Sequence, residues 1–80
     1  MNELQYVVLD RELPEHGLIP GDVGRIVHVY GDGAAFEVEF LRGDGLTVAV
    51  ATLEKDTVRA PEGPEILHVR RLARSTPPLA

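Results

Sequence analysis

The stretch from Leu18 to Phe40 constrains the fold of this chain more than any other part of it. The stretch opens with the turn Pro20-Gly21 and continues into an apolar run. Gly31-Asp32-Gly33 then reverses the chain, because aspartate and glycine tolerate the positive φ of hairpin turns. After the reversal, apolar and acidic residues alternate with the period of two of a half-buried strand. The stretch therefore predicts an antiparallel β-hairpin.

Short β-branched segments separated by turn residues extend this pattern along the chain and predict five strands. The expected strands are residues 5–9, 23–30, 35–40, 46–53 and 57–60, with one 3₁₀ turn at 54–56. Regular pairing of the second strand would turn Val27 and Val29 inward and expose Ile26, so we expect a bulge there or a partly covered outer face. The fourth strand is apolar on both faces, so we expect it to be central or covered on its outer side.

The sequence predicts one all-β domain, a small antiparallel barrel formed by residues 1–60, because barrels of this size close their sheet edges. Residues 61–74 are expected to form a C-terminal extension that packs on the barrel as a short strand or a helix. Alternation and helical spacing both fit this segment, and its length and β-branched residues slightly favour a strand for residues 66–70. The proline-bearing residues 75–80 are expected to be a disordered tail.

The turn before the second strand contains Gly17, Gly21 and Gly24, which superficially resemble a phosphate-binding glycine loop. No helical pattern follows whose N-terminus could hold phosphate, so turn glycines explain them better. Pro20-Gly21 favours a type II turn with Gly21 at positive φ. We expect Asp22 to bond downstream amides of its own turn, as aspartate commonly does.

Charge is divided unevenly along the chain. Up to residue 65 there are thirteen acids and five bases, whereas Arg70, Arg71 and Arg74 follow without any acid. An acidic body repels phosphate, so nucleic-acid binding through the body is not expected. We expect the basic end to be solvated or paired with Glu37 and Glu39.

The residues that could act in catalysis or bind a metal are not spaced as in any known catalytic or metal-binding motif. His16, His28 and His68 stand alone in separate segments, without the short spacing of zinc ligands. There is no cysteine, and the single serine, Ser75, lies near the C terminus. A chain this small has little room for a pocket of about 300 Å³ or more. We predict a protein that is not an enzyme and that uses no cofactor or metal.

Several short motifs follow one another over roughly residues 5 to 72 and read VVL, LPEHGL, GDVG, VHVY, FEVEF, TVA and EILHVR. In this order they resemble a bacterial and cyanobacterial family of small domains of unknown function. The resemblance implies an SH3-like barrel and an antitoxin or immunity role, and it carries no catalytic residues over to this chain. The GDVG turn is also similar to the KOW element of ribosomal and transcription proteins.

From these observations we expect a cytoplasmic protein-interaction module. Its expected ligand is a partner protein, such as a small bacterial toxin, or a second copy of the chain. The longest apolar run, residues 46–53, is much shorter than the ~20 residues of a membrane span. The alternative is a KOW-like nucleic-acid module that uses the C-terminal arginines. The expected partner-binding residues are His16, His28, Tyr30, Glu37, Glu39, Arg70 and Arg71.

Overall fold

The computed structural model describes residues 1–72. Its elements are the strands β1 (Tyr6–Leu9), β2 (Val23–Tyr30), β3 (Ala35–Leu41), β4 (Thr47–Glu54) and β5 (Val58–Arg59), and the 3₁₀ turns Pro14–His16 and Lys55–Thr57. The strands form one antiparallel sheet in the order β4-β3-β2-β1-β5. The predicted all-β class and the five antiparallel strands are confirmed. The sheet is open, with β4 and β5 at its two edges.

One face of the sheet carries the hydrophobic core. The alternation predicted for β3 is confirmed, since Phe36, Val38 and Phe40 are all buried. Every strand contributes to this cluster, and the loop after β1 adds Leu13 and Leu18. On the opposite face Val8 is also buried, beside the C-terminal residues 65–68, and the part of that face formed by β3 and β4 is left for solvent or for a partner.

A β-bulge in β2 is present where the sequence predicts one. Ile26 lies opposite Val38 and His28 opposite Glu37, so Val27 is the extra residue. The directions expected from regular pairing fail only before the bulge, where Ile26 is fully buried and Val27 is 37% exposed, whereas Val29 packs inward and His28 and Tyr30 face outward as predicted. The reason is that β2 enters with Gly24 and Ile26 inward, and the extra residue then reverses the alternation.

The fourth strand is at the edge of the sheet, so the prediction of a central position was wrong. Its inward side chains are the small or branched Ala49, Ala51 and Leu53, whereas Val50 on the outer face is 47% exposed. Apolar residues on both faces of a strand do not by themselves fix its place in the sheet. Which strand it pairs with depends on contacts between residues far apart in the sequence.

Residues 1–72 contain no helix long and apolar enough to cross a membrane.

Gly24 marks the closest approach of β2 to the side chains of β3. An added Cβ there would lie 2.5 Å from Val38 Cγ1, 2.9 Å from Phe40 Cε1 and 3.0 Å from the Glu39 carbonyl oxygen. These distances are far below van der Waals contact, so the packing of the core against β2 requires glycine.

Residues 60–72 form neither a strand nor a helix, so the strand favoured for residues 66–70 was wrong. No backbone ladder joins residues 60–72 to the sheet, and the side chains of His68 and Arg70 connect the segment to the body. Ile66 and Val69 project into solvent and are 91% and 97% exposed. The last two residues of the predicted extension and the predicted tail 75–80 lie outside the described residues.

Candidate functional site

Four polar and aromatic side chains, which we call the Tyr30 patch, lie together on the outer face of the sheet: His28, Tyr30, Glu37 and Thr52. The rings of His28 and Tyr30 meet edge to face with centroids 4.6 Å apart. Tyr30 Oη donates a hydrogen bond to Glu37 Oε1 at 3.4 Å, and the Thr52 hydroxyl donates to the same oxygen at 2.5 Å. The glutamate therefore joins β2, β3 and β4 across the exposed face.

The bulge at Val27 is what brings this patch to the outside. Without an extra residue, inward Ile26 would place His28 and Tyr30 inward as well, because side chains alternate along a strand. After the bulge, Val29 packs against the core, and His28 and Tyr30 face solvent. One local irregularity thus both buries Ile26 and displays the aromatic pair.

Two acidic side chains extend the patch. Glu39 lies opposite Arg25 in the sheet register and accepts a hydrogen bond from the Thr47 hydroxyl at 2.9 Å. Glu3 Oε2 lies 3.7 Å from His28 Nδ1. Glu3 and Glu37 therefore make the immediate surroundings of the aromatic pair acidic, whereas Glu39 faces Arg25.

At the start of β2, the carboxylate of Asp22 binds the C-terminal segment. Asp22 is 7% exposed. Arg70 donates to both of its oxygens, from Nε to Oδ1 at 2.7 Å and from Nη2 to Oδ2 at 2.6 Å. The Ile19 amide donates to Oδ2 at 2.9 Å, and His68 Nε2 lies 3.3 Å from Oδ1. We call this group, Asp22 with Ile19, His68 and Arg70, the Asp22 anchor.

Opposing effects act on the pKa of Asp22. Burial by itself raises this pKa, because it penalises the charged form. The hydrogen bonds and positive charge of Arg70, the Ile19 amide and His68 outweigh burial, so the pKa lies below its usual 3.8. Asp22 is therefore ionised at neutral pH and paired with the Arg70 guanidinium.

The structure divides the predicted partner-binding residues between two ends of β2. His28, Tyr30, Glu37 and Glu39 share the outer face at one end. Six residues separate Asp22 from His28 along the strand, which at about 3.3 Å per residue is roughly 20 Å. Arg70 also donates to the Gly17 carbonyl, beside exposed His16, and Arg71 is exposed on the segment that follows.

Of the two outcomes predicted for the basic end, Arg71 is exposed to solvent, whereas Arg70 pairs with Asp22 and not with Glu37 or Glu39. Those two glutamates accept hydrogen bonds from hydroxyl groups. The prediction that Asp22 bonds downstream amides was wrong: it accepts from the upstream amide of Ile19, although the Pro20-Gly21 turn has the predicted positive φ at Gly21, 94°. Sequence reasoning missed the anchor because its partners are 46 and 48 residues away, beyond any local spacing rule.

A second ion pair holds the start of the C-terminal segment. Arg59 donates from both terminal nitrogens to Glu65 at 2.6 Å, and the Glu62 amide donates to Glu65 Oε1 at 2.7 Å. The Arg59 hydrogen bonds, followed by the Glu62 amide, lower the pKa of Glu65 to about 2.

The C-terminal segment and the body of the domain form a groove of about 220 Å³ between them. No cluster of three or more potential metal-ligating side chains occurs within residues 1–72.

Changing Arg59 to glutamine should move the pKa of Glu65 from about 2 toward its usual 4.5, because the bidentate charged donor is lost. Carbon-detected NMR titration of the glutamate carboxyl groups measures this directly. The change Arg42→Gln, which removes an arginine that pairs with Asp44, serves as the control and should leave Glu65 unchanged. A Glu65 midpoint that stays near 2 in Arg59→Gln would contradict the assignment.

Comparison with known proteins gives one match. The family model described as "Domain of unknown function (DUF4926)" matches residues 3–60, a span that contains the whole sheet and the Tyr30 patch. No curated protein and no solved structure matches the chain.

Proposed function

This chain belongs to the DUF4926 family of domains, and from the geometry of its outer sheet face we propose that it is a non-enzymatic module that binds a protein partner. The observation that supports this proposal is the Tyr30 patch. It displays a half-exposed tyrosine in a fixed geometry, in contact with His28 and hydrogen-bonded to Glu37.

Ordered side chains at the surface favour binding over a purely solvated role. Tyrosine offers a large contact area with few rotatable bonds, and exposed tyrosines often dominate interface energetics. The edge-to-face contact and the shared glutamate restrict the ring before any partner arrives, which lowers the entropic cost of association. A sheet face built only for solvation has no need of such restriction.

The charge around the patch indicates the chemistry of the partner. Glu3 and Glu37 contact the aromatic pair, so a partner with lysine or arginine on its contact surface would be attracted electrostatically. The finer form of the proposal, which draws on the family resemblance, is a bacterial cytoplasmic antitoxin or immunity protein that covers a small basic toxin. Nucleic acid is less favoured, because Arg70 already binds a carboxylate.

Tyr30→Ala should weaken partner binding about 30-fold, a loss typical of truncating an interface hot spot. The matched control is Tyr6→Ala, since Tyr6 is an exposed tyrosine on β1 outside the patch, and it should change affinity less than about threefold. Affinity capture from the native host with each variant, followed by calorimetry on the recovered partner, measures both effects.

The same experiment can reject the proposal. Recovery of the chain alone, at its native concentration and after cross-linking, would contradict it. Equal partner capture by Tyr30→Ala and by the unchanged chain would show that binding uses a different surface.

A further inference from the structure

Side chains alone hold the C-terminal segment to the body of the domain. Within the part of the chain that the structure describes, no backbone–backbone hydrogen bond joins residues 61–72 to a strand. One ion pair, Arg59 with Glu65, holds the segment near its start. A second ion pair, Asp22 with Arg70, holds it near its end. The segment is therefore attached at two points, whereas each strand of the sheet is held by a ladder.

Between these two points lie residues 66–70, which we call the strap, and they bury little apolar surface. Ile66 and Val69 are almost fully exposed, and Leu67 is half exposed. Segments with few buried apolar contacts and no backbone ladder open at a lower free energy than the whole domain. The strap therefore has the composition and the contacts of a unit that can detach while the sheet stays folded.

The strap lies over a buried valine on the outer side of β1. Val7 and Leu9 belong to the core, so the Val8 side chain between them faces the opposite side of the sheet. Val8 is nevertheless only 6% exposed. Together with Val23, its neighbour on β2, it lines the groove between the body and the C-terminal segment. The segment thus covers an apolar site on the outer face.

The two attachment points have different positions relative to the strap. Glu65 immediately precedes the strap and pairs with Arg59 on β5, so this contact can persist while the strap moves. Arg70 is the last residue of the strap, and its guanidinium donates to both oxygens of Asp22 and to the Gly17 carbonyl oxygen. Release of Arg70 is therefore the step that frees the strap.

We propose that the strap is a hinged cover that opens as a unit. Arg70 leaves Asp22, the strap turns away about Glu65, and the five-stranded sheet stays intact. Opening uncovers Val8 and the carboxylate of Asp22. The proposal goes beyond the proposed function, because the Tyr30 patch stays exposed in both states and opening adds a second, apolar and acidic site near β1 and β5.

Single-cysteine variants of this cysteine-free chain test the opening. Val8→Cys places a thiol under the strap, and the matched control Val7→Cys places one in the core on the other face of the same strand. A thiol reagent should label Val8→Cys at least about tenfold faster than Val7→Cys. Urea should accelerate labelling of Val8→Cys only slightly, because opening exposes little surface, whereas labelling of Val7→Cys should follow global unfolding.

A second substitution shows whether the Asp22 ion pair controls the opening. Adding Arg70→Ala to the Val8→Cys variant should raise its labelling rate at least about tenfold, because the closed strap loses its main attachment. Adding Arg71→Ala, which removes the exposed neighbouring arginine, should change the rate less than about twofold. A Val8→Cys labelling rate that Arg70→Ala leaves unchanged would mean that the reagent reaches the thiol with the strap closed, and it overturns the proposal.

Hydrogen exchange measured by NMR tests the same opening in the unchanged chain. Arg70 Nε–H, which donates to Asp22, should exchange at least about tenfold faster than the Val38 amide in β3, after correction for their intrinsic rates. Exchange of Arg70 Nε–H as slow as that of the Val38 amide overturns the proposal. So does labelling of Val8→Cys and Val7→Cys at the same rate with the same dependence on urea.

Discussion

Gly24→Ala should lower the free energy of unfolding by about 3 kcal/mol, near the upper end of the usual cost of overpacking a core. The added methyl would overlap Val38 Cγ1 and Phe40 Cε1 and would lie 3.0 Å from the Glu39 carbonyl oxygen. Two buried core side chains and the β3 backbone would have to shift together to make room. A domain of this size has only about 4–12 kcal/mol of stability, so this one methyl should remove a large share of it.

Gly43→Ala is the control for this effect. Gly43 lies in the turn between β3 and β4, its φ is not positive, and an added Cβ would contact nothing within 4 Å. Alanine there should change stability by less than about 0.5 kcal/mol, or stabilise slightly by restricting the unfolded chain. Urea unfolding followed by far-UV circular dichroism compares the two variants, and similar midpoints would contradict the packing explanation.

Arg70→Ala should lower the free energy of unfolding by about 2 kcal/mol. Removing one partner of a buried ion pair costs about 3–5 kcal/mol, and the partial exposure of Arg70 reduces that figure. The loss arises because Asp22 would remain buried with only the Ile19 amide and His68 to solvate its charge. Arg71→Ala is the control: this neighbouring arginine is exposed, and its loss should cost less than about 0.5 kcal/mol.

The pH dependence distinguishes this ion pair from a simple packing contact. The folded pKa of Asp22 is depressed, so its contribution to stability is present above the unfolded pKa near 3.8 and is lost as the pH falls through the folded value. The stability difference between the unchanged chain and Arg70→Ala should therefore be full at neutral pH and should shrink below about pH 4. A difference independent of pH would contradict the ionic explanation.

Local rules predicted the parts of this fold that depend on neighbouring residues. The alternation in β3, the positive φ of Gly21 and the bulge in β2 all follow from sequence spacings of a few residues. The direction of the bulge could not be predicted, because it depends on which residue β2 presents to the core as the strand begins. That choice is made by Gly24 packing under Val38 and Phe40, a contact between different strands.

The candidate site also contains some features that local patterns predict and others that depend on distant contacts. The outward positions of Glu37 and Glu39 follow from the period of β3, and His28 with Tyr30 was predicted on the outer face. The edge position of β4 and the pairing of Asp22 with Arg70 could not be predicted, because both join residues or strands by contacts that leave no periodic signal. Hydrogen bonds to nearby backbone amides are enough to explain an aspartate in a turn, so no local pattern indicated a distant partner for Asp22.

The Asp22 anchor also bears on where this domain ends. The family match stops at residue 60, yet Asp22, inside the match, obtains its main counter-charge from residue 70, outside it. A chain cut at the family boundary would retain every strand and would bury a carboxylate without its arginine. The contacts that stabilise the buried part of this domain therefore extend ten residues beyond the span recognised by sequence similarity.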